Sequence, residues 1–520
     1  MFEAFLQRSA AVWVRTLSER RRSSLVWVRT LSERSWWKSA ESVRTRSGPT
    51  QATAAFAATL LLCACTVGPE HVRPDVDLPA QFVEARGTEY APGVAASSVW
   101  AAFDEPELDA LIARALTANT TIAQSLARLD ETRALAGLSK YSLFPTVTAN
   151  AGAERSKPSG QDPMIPPEQS FITESYRAGF DLSWEIDLFG SLRRQNESIK
   201  RQVQANTAAL EDVRIVIVAE VAQAWFALRG TQARLAVQRR NLANLQDNLK
   251  ILEEQLEAGR GTELDVARSN ALGLSVAALI PTTEAEVTRH EQRLAVLTAQ
   301  PVSVLREQLA DVKPLPELPA TVLVGTPEEW LRRRPDVRAA EWRLAREVSE
   351  IGVQMAEFYP KLNLTGGFGS TAQAFADLGA NNTSRWQFGP SLSWSFLDFG
   401  RVRQRVIAQE ARTEGAIAAY QEAWLRALEE TENALAGYRA ANQSTLVLAQ
   451  AVAQSRKALD LGRMRFDVGA SDFLVVLDAE RSLLDFEDQY AVAATRRATA
   501  LAVLYKALAG DFARAEVALP

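Results

Sequence analysis

Histidine and cysteine are nearly missing from this 520-residue chain, which has two of each. Cys63 and Cys65 fall together in an apolar N-terminal stretch, so the remainder can build neither a disulfide framework nor a cysteine metal site. His71 and His290 leave little for imidazole catalysis or metal ligation, and His290, in a charged helical context, reads as solvated. Scattered acids such as Glu263 and Asp265 read as solvated helix charges rather than a general acid–base pair. After residue 64 the chain has no patch of basic residues interleaved with aromatics, which argues against a nucleic-acid surface. The most apolar run near the N-terminus, Ala52–Leu62, is too short to span a bilayer. No catalytic residue, cofactor or metal is therefore expected.

Charge is divided unevenly. Residues 1–64 carry ten Lys/Arg against four Asp/Glu; subtracting these from the totals of 58 and 63 leaves 48 and 59, a body of net −11. A basic head before an acidic body suggests a targeting segment. VWVRTLSER occurs twice, at 12–20 and 26–34, and reads either as translated upstream sequence or as a short amphipathic repeat. Arg44, Arg46 and the apolar run then have signal-peptide proportions. Leu62-Cys63-Ala64-Cys65 resembles a bacterial lipoprotein cleavage box, with Cys65 as the lipid-bearing first mature residue and Thr66 compatible with outer-membrane sorting.

What is present is a duplication. Arg385–Gly400, RWQFGPSLSWSFLDFG, places Trp386, Phe388, Pro390, Leu392, Trp394 and Phe396 on one parity, against Gln387, Gly389 and three serines. A period of two means a strand with one apolar and one wet face. Tyr176–Gly190, YRAGFDLSWEIDLFG, has the same design, and Phe189-Gly190 and Phe399-Gly400 are 210 residues apart. Each copy reads as a helix, a hairpin and a very long helical hairpin. From Gly190 to Ala258 there is no proline and one internal glycine, Gly230, while Leu228, Leu235, Leu242, Leu249 and Leu256 recur every seven residues. That is a coiled-coil seam reaching roughly 100 Å.

The expected organisation is an extension and signal over 1–64, an extended segment over 65–99, and a first repeat over 100–300. Within that repeat lie a β-hairpin at 144–186 and a helical hairpin at 190–300, kinked at Pro281. A proline-rich linker at 301–326 leads to the second repeat at 327–509, with one helix over Trp330–Glu357, a β-hairpin at 359–396 and a helical hairpin at 400–509. A tail, 510–520, follows. The fold class is an internally duplicated α+β membrane protein with four strands per chain. Trp184, Trp386 and Trp394 suit a membrane interface. An open four-stranded sheet cannot exist in lipid and the smallest membrane barrels have about eight strands, so copies must join. The competing reading is two hairpins packed on a soluble core.

Five stretches together carry a resemblance: CTVGPEHVRP from Cys65, FDEPELDALIARAL, RRRPDVRAAE with IGVQMAEFYPKLNLTGGFG, SWSFLDFGRVR, and RFDVGASDFLVVLDAERSLLD. Nearly all of 65–520 resembles the TolC-like outer membrane factor family, in its lipoprotein (NodT-type) branch that serves resistance-nodulation-division (RND) efflux pumps. Glu70-His71, where an acidic-aromatic pair is usual, departs from it. The resemblance implies a homotrimer with a 12-stranded β-barrel in outer-membrane lipid and a 12-helix periplasmic α-barrel. It implies a passive exit duct for small molecules, fed by an inner-membrane RND transporter through a periplasmic adaptor. It also implies adaptor docking on the turns holding Gly259, Gly261, Leu264, Gly469, Ser471 and Leu474, and a constriction at Asp478, with Asp265 second. Val475 occupies a further position where the family has an acid. A polypeptide-secretion duct and a non-conducting coiled-coil envelope protein are the alternatives.

Overall fold

The computed structural model describes residues 66–76, 78–93, 103, 105–157, 159, 172–309 and 311–508. The nine-letter repeat, the signal segment and Cys65 lie outside the described residues. In chain order the elements are β1 (Tyr90–Pro92), α1 (Pro106–Ala118), α2 (Thr120–Tyr141), β2 (Thr146–Ser156), β3 (Thr173–Ile186), α3 (Ser191–Glu257) and α4 (Glu263–Leu297). Then follow α5 (Val302–Gln308), β4 (Val322–Val324), α6 (Pro327–Arg333), α7 (Pro335–Ala356), β5 (Lys361–Ala372), β6 (Ser384–Ser393), α8 (Phe399–Asp467) and α9 (Phe473–Ala507). The repeat is visible in the boundaries. Helices α2 and α7 match at both ends at an offset of 215, and α4 and α9 at an offset of 210.

Local chemistry explains where the helices break. The single helix expected over Trp330–Glu357 is two, because Arg334 precedes Pro335 and adopts ψ 119°; proline disfavours helical geometry in the residue before it. In the first copy no proline intervenes between α1 and α2. There Asn119 makes the break, its Oδ1 accepting from the N–H groups of Thr121 at 2.8 Å and Ile122 at 3.2 Å. Its Nδ2 donates to the carbonyl of Leu297, the last residue of α4 (2.8 Å). Arg334 does the corresponding work in the second copy, donating from Nη1 to the carbonyl of Ala507, the last residue of α9 (3.0 Å). Trp330 Nε1 and Thr431 Oγ1 donate to that same oxygen.

Pro281 lies inside the continuous helix α4. The expected linker is not structureless: it contains α5, and β4 pairs in parallel with β1 from the N-terminal extended segment, Tyr90 opposite Val322. Six hydrogen-bonding residues on two distant three-residue strands carry no periodic signal, so the pair was invisible to pattern reading.

The main core sits at the mid-length of α3, where Trp225, Phe226 and Leu228 are fully buried among residues of α1, α7, α8 and α9. Phe103 packs edge-on against Phe226 at 5.0 Å between ring centroids. Each such side chain contributes about 1.5–3 kcal/mol by burial. Along the leucine seam, Leu228 and Leu235 are buried, as are the intervening Leu245 and Leu252, while Leu242, Leu249 and Leu256 are half-buried. His290 is also half-buried, rather than solvated, and burial lowers its pKa.

Candidate functional site

The four long strands form one antiparallel sheet in the order β2-β3-β5-β6, so the two hairpins pair with each other through β3 and β5. Register carries the period-two pattern across all four strands. One face holds the row Ala149–Phe180–Phe368–Trp386 and the row Val147–Leu182–Gly366–Phe388. Phe180, Phe368 and Trp386 are 57%, 65% and 78% exposed, an apolar surface that water alone would not favour. The opposite face holds Thr148–Asp181–Gly367–Gln387 and Asn150–Gly179–Gly369–Arg385. There Asn150 Nδ2 donates to Asp181, and Arg177 pairs with Glu154. Strands β2 and β6 are the two edges, and neither has an outer partner among the described residues.

Trp184 and Trp394 occupy matching places. Each indole N–H donates at 3.0 Å to the carbonyl two residues before a proline, that of Leu143 in the first copy and Phe358 in the second. The strand expected to reach Phe396 ends at Ser393, so Trp394 lies just beyond it. The cause is pairing: Ser393 faces Lys361, the first residue of β5, and β6 has no second neighbour to carry it further. The first-copy counterpart β3 reaches Ile186 because β5 pairs with it through Leu362.

At the other end of α3 and α8 the two turns are built alike. Gly259 and Gly469 both take φ +70°, in the left-handed region that glycine enters without penalty. Arg260 N–H bonds Gln255 O and Ala470 N–H bonds Arg465 O, each closing its helix C-terminus. Leu264 and Leu474 stand exposed at equivalent places after the turns. Gly261 is held close, since a β-carbon there would meet Leu256 N at 3.0 Å, and the Ser471 hydroxyl is buried with no hydrogen-bond partner among the described residues.

The two candidate acids differ in state. Asp478 is exposed on α9, whereas Asp265 is half-buried and occupied: it accepts from Thr262 Oγ1 at 2.6 Å while its own N–H donates back at 3.2 Å. Thr262 and Asp265 thus cap α4 reciprocally. Val475, 210 residues after Asp265, is exposed and apolar. Among the described residues no group of three or more His, Cys, Asp or Glu could hold a metal.

Pattern reading missed a polar ladder between α3 and α9. Asp488 receives Arg234 Nε at 2.6 Å, Arg234 Nη2 at 2.8 Å and Gln238 Nε2 at 3.1 Å. Asn241 Nδ2 donates to Glu487 at 3.1 Å, and Asn248 Nδ2 to Glu480 at 2.9 Å. Glu480 is buried, which pushes its carboxyl pKa up, and Arg463 of α8 at 3.0 Å opposes that shift. Arg234, Asn241 and Asn248 are spaced by seven, a polar heptad beside the leucine one and readable in principle.

No helix among the described residues is long and apolar enough to cross a membrane. The surface suited to lipid is the exposed aromatic face of the sheet, set on helices of 67 and 69 residues. That combination is the TolC-like outer-membrane channel fold, as comparison with solved structures shows: the outer-membrane channel OprN aligns with a TM-score of 0.80 at 36% identity, over 86% of this chain and all of that one. The chain belongs to the outer membrane efflux protein family, whose profile matches residues 111–300 and 326–510, one segment per repeat. Among named relatives, outer membrane protein OprJ of Pseudomonas aeruginosa is 30% identical, covering 88% of this chain and 96% of its own. Nodulation protein T of Rhizobium leguminosarum bv. trifolii is 28% identical over 87% and 96%. This is a family of efflux channels and not of enzymes. The protein is an outer membrane efflux channel.

Proposed function

We propose that three copies of this chain close into one passive duct, anchored by lipid on Cys65 and joined below to a periplasmic adaptor and an inner-membrane RND pump. The observation that carries this reading is the pair of edges, β2 and β6, without outer partners among the described residues, on a sheet with one apolar and one polar face. Backbone groups on those edges cannot be left open in lipid. Pairing β6 of one copy with β2 of the next satisfies both, and three copies of four strands make a twelve-stranded barrel. The aromatic rows then face lipid, with Trp184, Trp386 and Trp394 toward its interfaces, and the Asp181 and Arg385 rows line an aqueous lumen.

The long helices continue the duct into the periplasm, where the Gly259–Leu264 and Gly469–Leu474 turns offer exposed leucines for the adaptor. Small molecules are the favoured cargo, because the Cys65 box resembles the lipoprotein branch rather than the secretion ducts. Intact-mass measurement on protein purified from membranes tests the assembly and the anchor together. Three copies, each beginning at a lipid-modified Cys65, are expected, with conductance in planar bilayers. A monomer, or an unmodified terminus upstream of Cys65, would overturn the respective part; a trimer without conductance would favour the structural envelope protein.

A further inference from the structure

The segment that begins at Thr66 docks on the corner between β3 and α3. Val67 N–H donates to the Phe189 carbonyl at 3.2 Å. Gly190, at φ +82°, admits the close approach, since a β-carbon there would stand 3.1 Å from Thr66 Cα. The corner is short: Ile186 ends β3 and Ser191 begins α3, five residue steps that reach at most about 18 Å. Groups placed here therefore sit at the rim of the sheet.

A cavity of about 430 Å³ opens at this corner, lined by Thr66, Glu70, His71, Arg194, Glu197 and Arg201, with Arg193 beside them. That is room for a small polar ligand. Two of the arginines are committed within the chain. Arg193 donates from Nε to Asp187 at 3.2 Å. Arg194 donates to the carbonyls of Val67 at 3.1 Å and Gly68 at 3.2 Å, and to Glu197 at 2.8 Å. Arg201 is held loosely, with Nη1 3.3 Å from Gln204 and Nη2 3.4 Å from Glu197, and its guanidinium lies over the Trp342 ring at 5.3 Å. Its Nε and the Nε2 of His71 are both buried, with no hydrogen-bond partner among the described residues. Folded proteins rarely leave such nitrogens unmet, so two of them on one cavity call for an acceptor. Glu70, exposed at the same cavity, supplies charge of the opposite sign.

We propose that the cavity takes a phospholipid headgroup that ends in a primary ammonium, its phosphate accepting from Arg201 Nε and His71 Nε2 and its ammonium donating to Glu70. The charges suit a zwitterion: with Arg193 held by Asp187, the lining offers two cations, Arg194 and Arg201, against two acids, Glu70 and Glu197. Burial lowers the pKa of His71, and Arg201 and Arg73 lower it further. The ring is therefore neutral at pH 7 and donates from one nitrogen only. A phosphate oxygen fixes that proton on Nε2. The lipid source of the headgroup rests on the reading that places the sheet in a membrane and lipid on Cys65; the cavity's chemistry does not.

His71 and His290 are the only histidines, so untagged full-length protein labelled with nitrogen-15 histidine has two ring systems to follow. In detergent, glycerophosphoethanolamine should shift the His71 Nε2 resonance and leave His290 unmoved. Arg201→Met should weaken that response about tenfold or more, as the loss of a charge-assisted bond does. Glu70→Gln should bind glycerophosphocholine and glycerophosphoethanolamine alike, whereas the parent prefers the latter. Native mass spectrometry of the same protein, exposed to phosphatidylethanolamine and then delipidated, should retain one such lipid per chain. His71→Phe keeps an aromatic ring but no donor and should lose that lipid, which keeps the idea testable where Arg201→Met folds poorly. An unmoved His71 overturns the site, and equal binding of the choline and ethanolamine compounds by the parent overturns the role of Glu70. A response to inorganic phosphate as strong as to glycerophosphoethanolamine, in a trimer that retains no lipid, makes this a free-phosphate site and overturns the lipid assignment. A monomer in the spectra counts against the duct reading instead, and the His71 titration still decides the cavity.

Discussion

Gly230 of α3 lies directly beneath Thr495 of α9, so close that a β-carbon at 230 would stand 2.0 Å from Thr495 Oγ1 and 2.7 Å from its Cβ. The one glycine inside α3 therefore marks a close crossing between the first long helix and the last. Alanine in a helix interior is ordinarily better than glycine by about 1 kcal/mol. Here the clash reverses the sign. Gly230→Ala should destabilise by about 1–3 kcal/mol, in the range of overpacked cores. Thermal unfolding of Gly230→Ala and of the Gly230→Ala, Thr495→Gly double variant checks this, with recovery expected in the double variant. A single variant as stable as the parent would show that the helices separate freely at this crossing.

Below that crossing the contact is polar, and its strongest member is the two-pronged bond from Arg234 to Asp488. Both side chains remain about a quarter exposed, which lowers the value of the pair through solvent screening. A double-mutant cycle of Arg234→Met and Asp488→Asn should give a coupling on the order of 1 kcal/mol. It should shrink in high salt. Coupling indistinguishable from zero at low salt would mean that Gln238 and Glu286 compensate for either loss.

How much of this was legible before the structure depends on which residues carried a period. The alternation from Trp386 to Leu392 and from Tyr176 to Ile186 exposed the strands and their faces, because a half-buried strand must alternate. The 210-residue spacing of Phe189-Gly190 and Phe399-Gly400 exposed the duplication, and the glycines at 259 and 469 exposed the turns. Single side chains doing backbone work left no periodic trace. Asn119 ends a helix by capping the next, and Arg334 satisfies a carbonyl 173 residues away. The Arg234, Asn241 and Asn248 heptad was periodic but was overshadowed by the leucines beside it.

The turn at Gly469 offers a way to separate folding from partner engagement. Its φ of +70° and the open space around it mean that a larger residue meets no neighbour within the chain, only backbone strain. That strain is worth about 1–2 kcal/mol for an L-residue in this region. Gly469→Val should therefore still assemble, with a modest loss of stability, yet present a bulky side chain on the surface proposed for the adaptor. Drug susceptibility of a complemented deletion strain, alongside native mass of the purified variant, reads the two effects separately. Full efflux by an assembled Gly469→Val would remove this turn from the docking surface.

Asp478 is the acid we propose to act on what passes between the tips of an assembled duct. It lies nine residues beyond Gly469, about two and a half turns inside the end of α9, and it is exposed. Its backbone carbonyl accepts from Ser482 Oγ at 2.9 Å, a bond that makes no demand on the carboxylate. Asp265 is a weaker candidate, because its carboxylate is engaged with Thr262 and its loss would also unfasten the start of α4. At the corresponding place in the second copy, Val475 offers no charge at all. If three chains surround one axis, Asp478 recurs three times around a narrow mouth. A ring of like charge in a confined space concentrates negative potential and favours cations. Asp478→Ala should then reduce cation preference, and Asp478→Arg should reverse it toward anions. Thermal stability should change by less than about 0.5 kcal/mol for the alanine, as for other exposed sites. Single-channel reversal potentials under a salt gradient measure the preference directly. Identical reversal potentials in the parent and both variants would place Asp478 away from the conducting path.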